Sequence, residues 1–223
     1  MLYNQVTLFD TVEGYGGGTS EKRLGRCGAD VCSNNPEMEA LYMTKFLPAP
    51  WRGLTHKSFE SALRVSLKRL GISCCPIYLL HSPVHLFGLG RSIEFWVESA
   101  AICKRKGLLS SFGLSNCNAN DVRRAVLAGR KYGVPVLVNQ VMFNLIDYNS
   151  QSLMEMQKTC NELNVTIIAY SPFGQGLLTD SLTKENMHEN KPAKMFGLSW
   201  DSLIPLRKAM KRIADDHGNK TIA

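Results

Sequence analysis

Four side chains in the first part of this sequence, Asp10, Tyr15, Lys45 and His81, could together carry one proton transfer. An unperturbed phenol titrates near pH ~10 and is a poor acid at neutral pH. A neighbouring ammonium favours the phenolate and so makes the phenol a better donor. A carboxylate paired with that ammonium fixes its position and keeps it charged. An imidazole can share or orient the oxygen being protonated. The substrate this set suits is a carbonyl that takes hydride on carbon and a proton on oxygen. No side chain delivers hydride, so a nicotinamide is required.

Two of the four lie in LFDTVEGYGGGTSEKRLG, Leu8 to Gly25. Its glycines invite a phosphate-loop reading, but neither GxGxxG nor GxxxxGK[ST] fits, because Thr19 or Glu21 stands where a downstream glycine is needed. The alternative is a strand-to-helix connection, with glycines for unusual backbone angles and Thr19 or Ser20 as the N-cap of TSEKRLG.

The elements that must position these groups alternate along the chain. Strand candidates are 5–9, 40–45, 76–81, 111–115, 134–140 and 165–171, nearly continuous apolar runs of the kind found in parallel sheets covered on both faces. Helical patterns fall at 55–70, with Phe59, Ala62, Leu63, Leu67 and Leu70 on one face, and at 92–106, 121–132, 152–163 and 202–216. Residues 179–199 read as a mobile loop before the last helix. No linker interrupts the rest, so 1–223 reads as one domain. Crossovers of this length are right-handed, and a doubly wound sheet and a (β/α)8 barrel both satisfy that.

Each strand candidate ends in polar residues: Asp10, Lys45, His81, Ser115-Asn116, Asn139-Gln140 and Tyr170-Ser171. Singly, each has a dull explanation; Lys45 can reach solvent and Asn116 can cap a helix. In a parallel barrel all six ends face one rim, where the loops build the active site.

Bulk properties narrow the rest. With 223 residues, 44% of them hydrophobic, the chain can bury a substantial core. No apolar run approaches the roughly 20 residues that span a bilayer, and no leader pattern opens the chain. The seven cysteines show no zinc spacing and read as small apolar thiols, with no metal site. The net charge of +7 comes from short clusters on helices, and no nucleic-acid motif or membrane segment accompanies it.

The chain resembles the aldo-keto reductases, NADPH-dependent enzymes built on the (β/α)8 TIM barrel. The likeness rests on FDTVEGYGGGTSEKRLG, TKF at 44–46, YLLHSP at 78–83, FGLSN at 112–116, VNQVMFN at 138–144 and AYSPFGQGLLT at 169–179. TKFLPAPWR and SPFGQGLLT look most like the plant and algal plastid subgroup that includes pyridoxal reductase, which adds the plastid stroma to the cytoplasm as an expected compartment for a soluble chain.

The resemblance implies that Tyr15 donates the proton, Lys45 modulates its pKa, Asp10 partners Lys45 and His81 orients the carbonyl oxygen. It implies that Ser115, Asn116 and Gln140 hydrogen-bond the nicotinamide carboxamide. Tyr170 would stack on its ring, with the backbone of Ser171, Pro172, Phe173, Gly174 and Gln175 near the pyrophosphate. Trp51 and Phe173 are candidates for an apolar substrate pocket, though both are more often packing residues.

About six of eight strand–helix units are present. Measured against the family pattern, a first strand and the C-terminal segment that holds the adenosine phosphate are absent, which implies an incomplete copy with poor affinity for NADPH. The activity expected of the full-length parent is reduction of an aldehyde or ketone. The alternatives are a nucleotide-sensing subunit of the potassium-channel β type and a non-catalytic remnant.

Overall fold

Six apolar runs become strands because their crossovers cover them: β1 (Leu8–Asp10), β2 (Leu41–Phe46), β3 (Cys75–Leu80), β4 (Leu109–Ser115), β5 (Val136–Met142) and β6 (Thr166–Tyr170). The helices are α1 (Thr19–Asn34), α2 (His56–Leu70), α3 (Ile93–Arg105), α4 (Ala119–Tyr132), α5 (Gln151–Glu162) and α6 (Trp200–Asp216). The structure, a computed structural model, describes residues 7–35, 39–49, 52, 54–83, 90–187, 194, 197–218 and 220–222. The expected strand residues Gln5 and Val6, and Trp51, lie outside them.

The strands form one sheet in the order β1-β2-β3-β4-β5-β6, and each pair from β1 to β5 is parallel. A doubly wound sheet reverses strand order at a switch point, whereas this order never reverses. It is the order of a (β/α)8 barrel, of which six strand–helix units are seen.

The chain groups into two compact units, residues 1–141 with 151–168, and residues 142–150 with 169–223. In the first, the outer face of the sheet packs on α2 and α3 through Phe46, Phe59, Tyr78, Trp96 and Phe112, all buried, with Phe59 edge-on to Tyr78 at 5.2 Å between ring centroids. On the opposite face Met43, Leu79 and Val138 form a second cluster with Ile77 and Ile168 against it. Gly113 belongs to that face, since a Cβ there would sit 2.6 Å from Val138 Cγ2.

Side chains on a strand alternate between faces. Lys45 therefore follows Met43 two positions on, His81 follows Leu79, and Gln140 follows Val138, each on the inner face. This is what gathers the polar strand ends.

Local chemistry sets the helix ends. Thr55 caps α2 in a capping box with Ser58, and Gly71 closes it at φ 70°; Ser92, Asn118 and Ser199 cap α3, α4 and α6. Three sequence expectations change. Neither Thr19 nor Ser20 caps α1: Thr19 is already helical, and Gly18, at φ 91°, is the N-cap. Ser20 Oγ instead meets Thr11 Oγ1 at 2.8 Å. Asn116 is not a cap either, that role falling to Asn118. In the second unit, Leu182 and Met187 are buried with Leu177 and Leu203, so the start of the segment read as a loose loop is anchored.

The seven cysteines are free; Cys75, Cys103, Cys117 and Cys160 are buried. Among the described residues no helix is long and apolar enough to cross a membrane.

Candidate active site

Lys45 is the last residue but one of β2, with its side chain only 2% exposed, so its ammonium must find partners in the protein. It finds two: Nζ lies 2.6 Å from Asp10 Oδ1 and donates to Thr11 O at 2.8 Å. Burial lowers the Lys45 pKa, and the hydrogen bond and charge of Asp10 oppose that shift. The second oxygen of Asp10 accepts from Gln140 Nε2 at 3.1 Å. β1 and β5 are separated by three strands, so the sheet must curl to bring these ends together.

His81 follows β3, its backbone N–H donating to Phe46 O at 2.8 Å. Its Nδ1 is buried without a hydrogen-bond partner. Burial first, and then the positive charge of Lys45, lower its pKa, against the pull of Glu13 and Asp10. At neutral pH the ring is thus an uncharged imidazole, with one donor and one acceptor nitrogen.

Tyr15 opens a 3-10 turn, Tyr15–Gly18, and remains 54% exposed. Gly16, Gly17 and Gly18 follow at φ 57°, 62° and 91°, a left-handed run that L side chains resist. The glycines thus shape the turn that presents the phenol. Tyr15 and His81 line the same cavity of about 650 Å³, together with Glu13, Leu47, Arg52 and Val65.

Ser115 and Gln140 are register partners at the ends of β4 and β5, and Asn116 N–H donates to Gln140 O at 2.9 Å. Asn116 sits at φ 57°, and its Nδ2 donates to His81 O at 3.0 Å and to Ser115 Oγ at 3.2 Å. In the second unit Tyr170 ends β6. Ser171 (φ 52°), Gly174 (φ 56°), Gln175 (φ 54°) and Gly176 (φ 98°) form a left-handed segment around Pro172 and the half-exposed Phe173. Three of the four left-handed non-glycine residues described are therefore Asn116, Ser171 and Gln175, all expected at the cofactor. Backbone strain of this kind collects at ligand sites.

Sequence reasoning overlooked a polar group beside the Tyr15 turn. Glu13 is held by the fork of Arg52, with Nη2 to Oε2 at 3.0 Å, and accepts Leu47 N–H at 2.9 Å. Glu21 is fully buried against Thr44 and Arg69. A signal was available: Glu21, Gly25 and Gly28 form one i, i+4, i+7 stripe, so a carboxylate faces inward with two glycines.

The comparisons agree with this architecture. The model of the "Aldo/keto reductase family" matches residues 2–223. The chain is 31% identical over 222 residues to a chloroplastic pyridoxal reductase of Arabidopsis thaliana, covering 97% of this chain and 60% of that one. It is 33% identical over 181 residues to an NADP(+)-linked aldo-keto reductase of Schizosaccharomyces pombe, covering 78% and 50%. It spans about half to three fifths of those relatives' length. Among solved structures, a Gluconobacter oxydans glycerol dehydrogenase matches at TM-score 0.77 and 18% identity over 99% of this chain and 67% of its own, which speaks for the fold alone. A Bombyx mori aldo-keto reductase in complex with NADP matches at TM-score 0.60 and 28% identity over 75% and 52%.

Proposed function

The chain belongs to the aldo/keto reductase family, and from that premise we propose that its strand-end site reduces an aldehyde or ketone to an alcohol. The observations that carry this reading are the Lys45–Asp10 pair, at 2.6 Å with the ammonium end buried, and a cavity lined by both Tyr15 and His81.

The residues present fit a nicotinamide cofactor. Ser115, Asn116 and Gln140 supply a hydroxyl and two amides, which suits a carboxamide that both donates and accepts. Left-handed backbone at Asn116 supports a ligand there, as it does at Ser171 and Gln175 in the second unit. Bound NADPH supplies hydride.

The protein's own share is to hold the carbonyl and deliver a proton. Neutral His81 donates to the carbonyl oxygen and fixes its direction. As hydride and its electron pair reach carbon, the C=O π pair moves onto oxygen and takes the proton of the Tyr15 hydroxyl. The remaining phenolate is stabilised by the Lys45 charge, which Asp10 keeps in place. Protonation from solvent restores the phenol.

The test is NADPH oxidation by the purified chain with a set of aldehydes, pyridoxal among them, alongside Tyr15→Phe. Turnover lost in that variant, with NADPH binding by fluorescence unchanged, supports the assignment. Equal turnover by both proteins refutes it.

A further inference from the structure

We infer that Glu21 is a positioning residue that locks the turn carrying Tyr15 to the strand carrying Lys45. This rests on the carbonyl-reduction reading and adds a residue which that reading does not use.

The connection is short and buried. Glu21 enters at the third position of α1, where a carboxylate also suits the positive end of the helix dipole. Its Oε1 accepts from Thr44 Oγ1 at 2.7 Å, and Thr44 is the neighbour of Lys45 on β2. Its Oε2 accepts from Arg69 Nη1 at 3.1 Å, and the same nitrogen donates to Glu13 O at 3.1 Å. The Arg69 guanidinium also lies under Gly18, where a Cβ would meet its Cζ at 2.3 Å. One guanidinium therefore hydrogen-bonds one flank of Tyr15, at Glu13, and packs against the other, at Gly18, and one carboxylate holds that guanidinium to β2.

A glutamine is not equivalent to the carboxylate: the Thr44 hydroxyl can turn to accept its NH2, but the partly buried Arg69 guanidinium is left with a neutral acceptor in place of its counter-charge. Misplacement of a reacting group by about 1 Å can cost about a hundredfold in rate.

The experiment compares Glu21→Gln with wild type and with Glu60→Gln, a control whose partners Lys106 and Arg64 lie on the protein surface. Amide exchange across 13–18 should quicken at least ~tenfold in Glu21→Gln while β3 and β4 keep their protection. The turnover number should fall about ten- to a hundredfold with KM within about twofold. Arg69→Met, which removes the guanidinium from the other side, should repeat both results. Unchanged exchange across 13–18, or loosening shared equally by β3 and β4, overturns the proposal. If wild type reduces no carbonyl, the functional reading fails on its own, and the exchange map still decides the role of Glu21.

Discussion

Gln140 Nε2 stands 3.1 Å from Asp10 Oδ2 although 130 positions separate the two residues. With Oδ1 given to Lys45, both oxygens of one carboxylate are used, one for the ammonium and one to join the ends of β1 and β5. Asp10→Asn preserves shape but sets an NH2 against Gln140 or Lys45 and removes the counter-charge. Removing one partner of a fully buried pair costs about 3–5 kcal/mol. Asp10 is 39% exposed, so about 1–3 kcal/mol is expected at neutral pH. The sign with pH follows from Lys45, whose pKa is already lowered by burial and falls further without Asp10. The deficit exists while Lys45 is protonated and should shrink as pH rises through that pKa. Urea denaturation at neutral and alkaline pH measures it; a deficit that grows with pH contradicts the assignment.

The sequence made the strand ends legible because each is an apolar run that stops at a side chain with chemistry, as at Leu79-Leu80-His81. Cap chemistry made α2 legible through Thr55 and Gly71. What stayed hidden was tertiary. Nothing local indicates that Arg69 reaches back to Glu13, 56 residues away, or that Gln140 meets Asp10. The cap of α1 was misplaced for a local reason. Thr19 has the right side chain, but three left-handed glycines carry the chain into the helix one residue sooner.

His81 gives a pH dependence with a defined direction. Burial and Lys45 lower its pKa below the usual ~6.5, so the unfolded chain binds its proton more readily than the folded one. Stability from this group is fully present above ~6.5 and declines as pH falls toward the lowered value. His81→Gln should flatten the slope of denaturation midpoint against pH within that window. Reduction should likewise persist below pH ~6.5 before its acid limb begins. A limb lying above ~6.5 would exclude His81 as its source.

The thiols should divide by exposure. Burial pushes Cys75 and Cys103 up to about 12 and raises Cys117 and Cys160 as well, which leaves little thiolate at mildly alkaline pH. Cys27 is exposed, and Cys32 and Cys74 are partly so. Iodoacetamide added to the native chain should mark Cys27 first, and the four buried thiols only after unfolding. Peptide mass spectrometry reads the order; early labelling at Cys75 or Cys117 would contradict the packing described.

Arg207 on α6 organises the second unit. Its Nη1 donates to Leu177 O at 3.1 Å and Thr179 O at 2.8 Å, and its Nη2 to Leu182 O at 3.1 Å. The guanidinium also lies 5.4 Å from the Trp200 ring centroid. Three carbonyls converge on one side chain because the turn after Gly176 has no ladder to satisfy them. A planar fork can serve all three while stacking on the indole, whereas a lysine offers a point charge without the plane. Arg207→Met keeps the apolar stem against Trp200 and removes every donor, and a loss of about 1–3 kcal/mol is expected. Arg207→Lys should recover only part of it. Chymotrypsin should then cut near Leu177, Leu178 and Leu182, which are buried in the intact unit. Full recovery in the lysine variant would mean that charge alone, and not the fork, secures the turn.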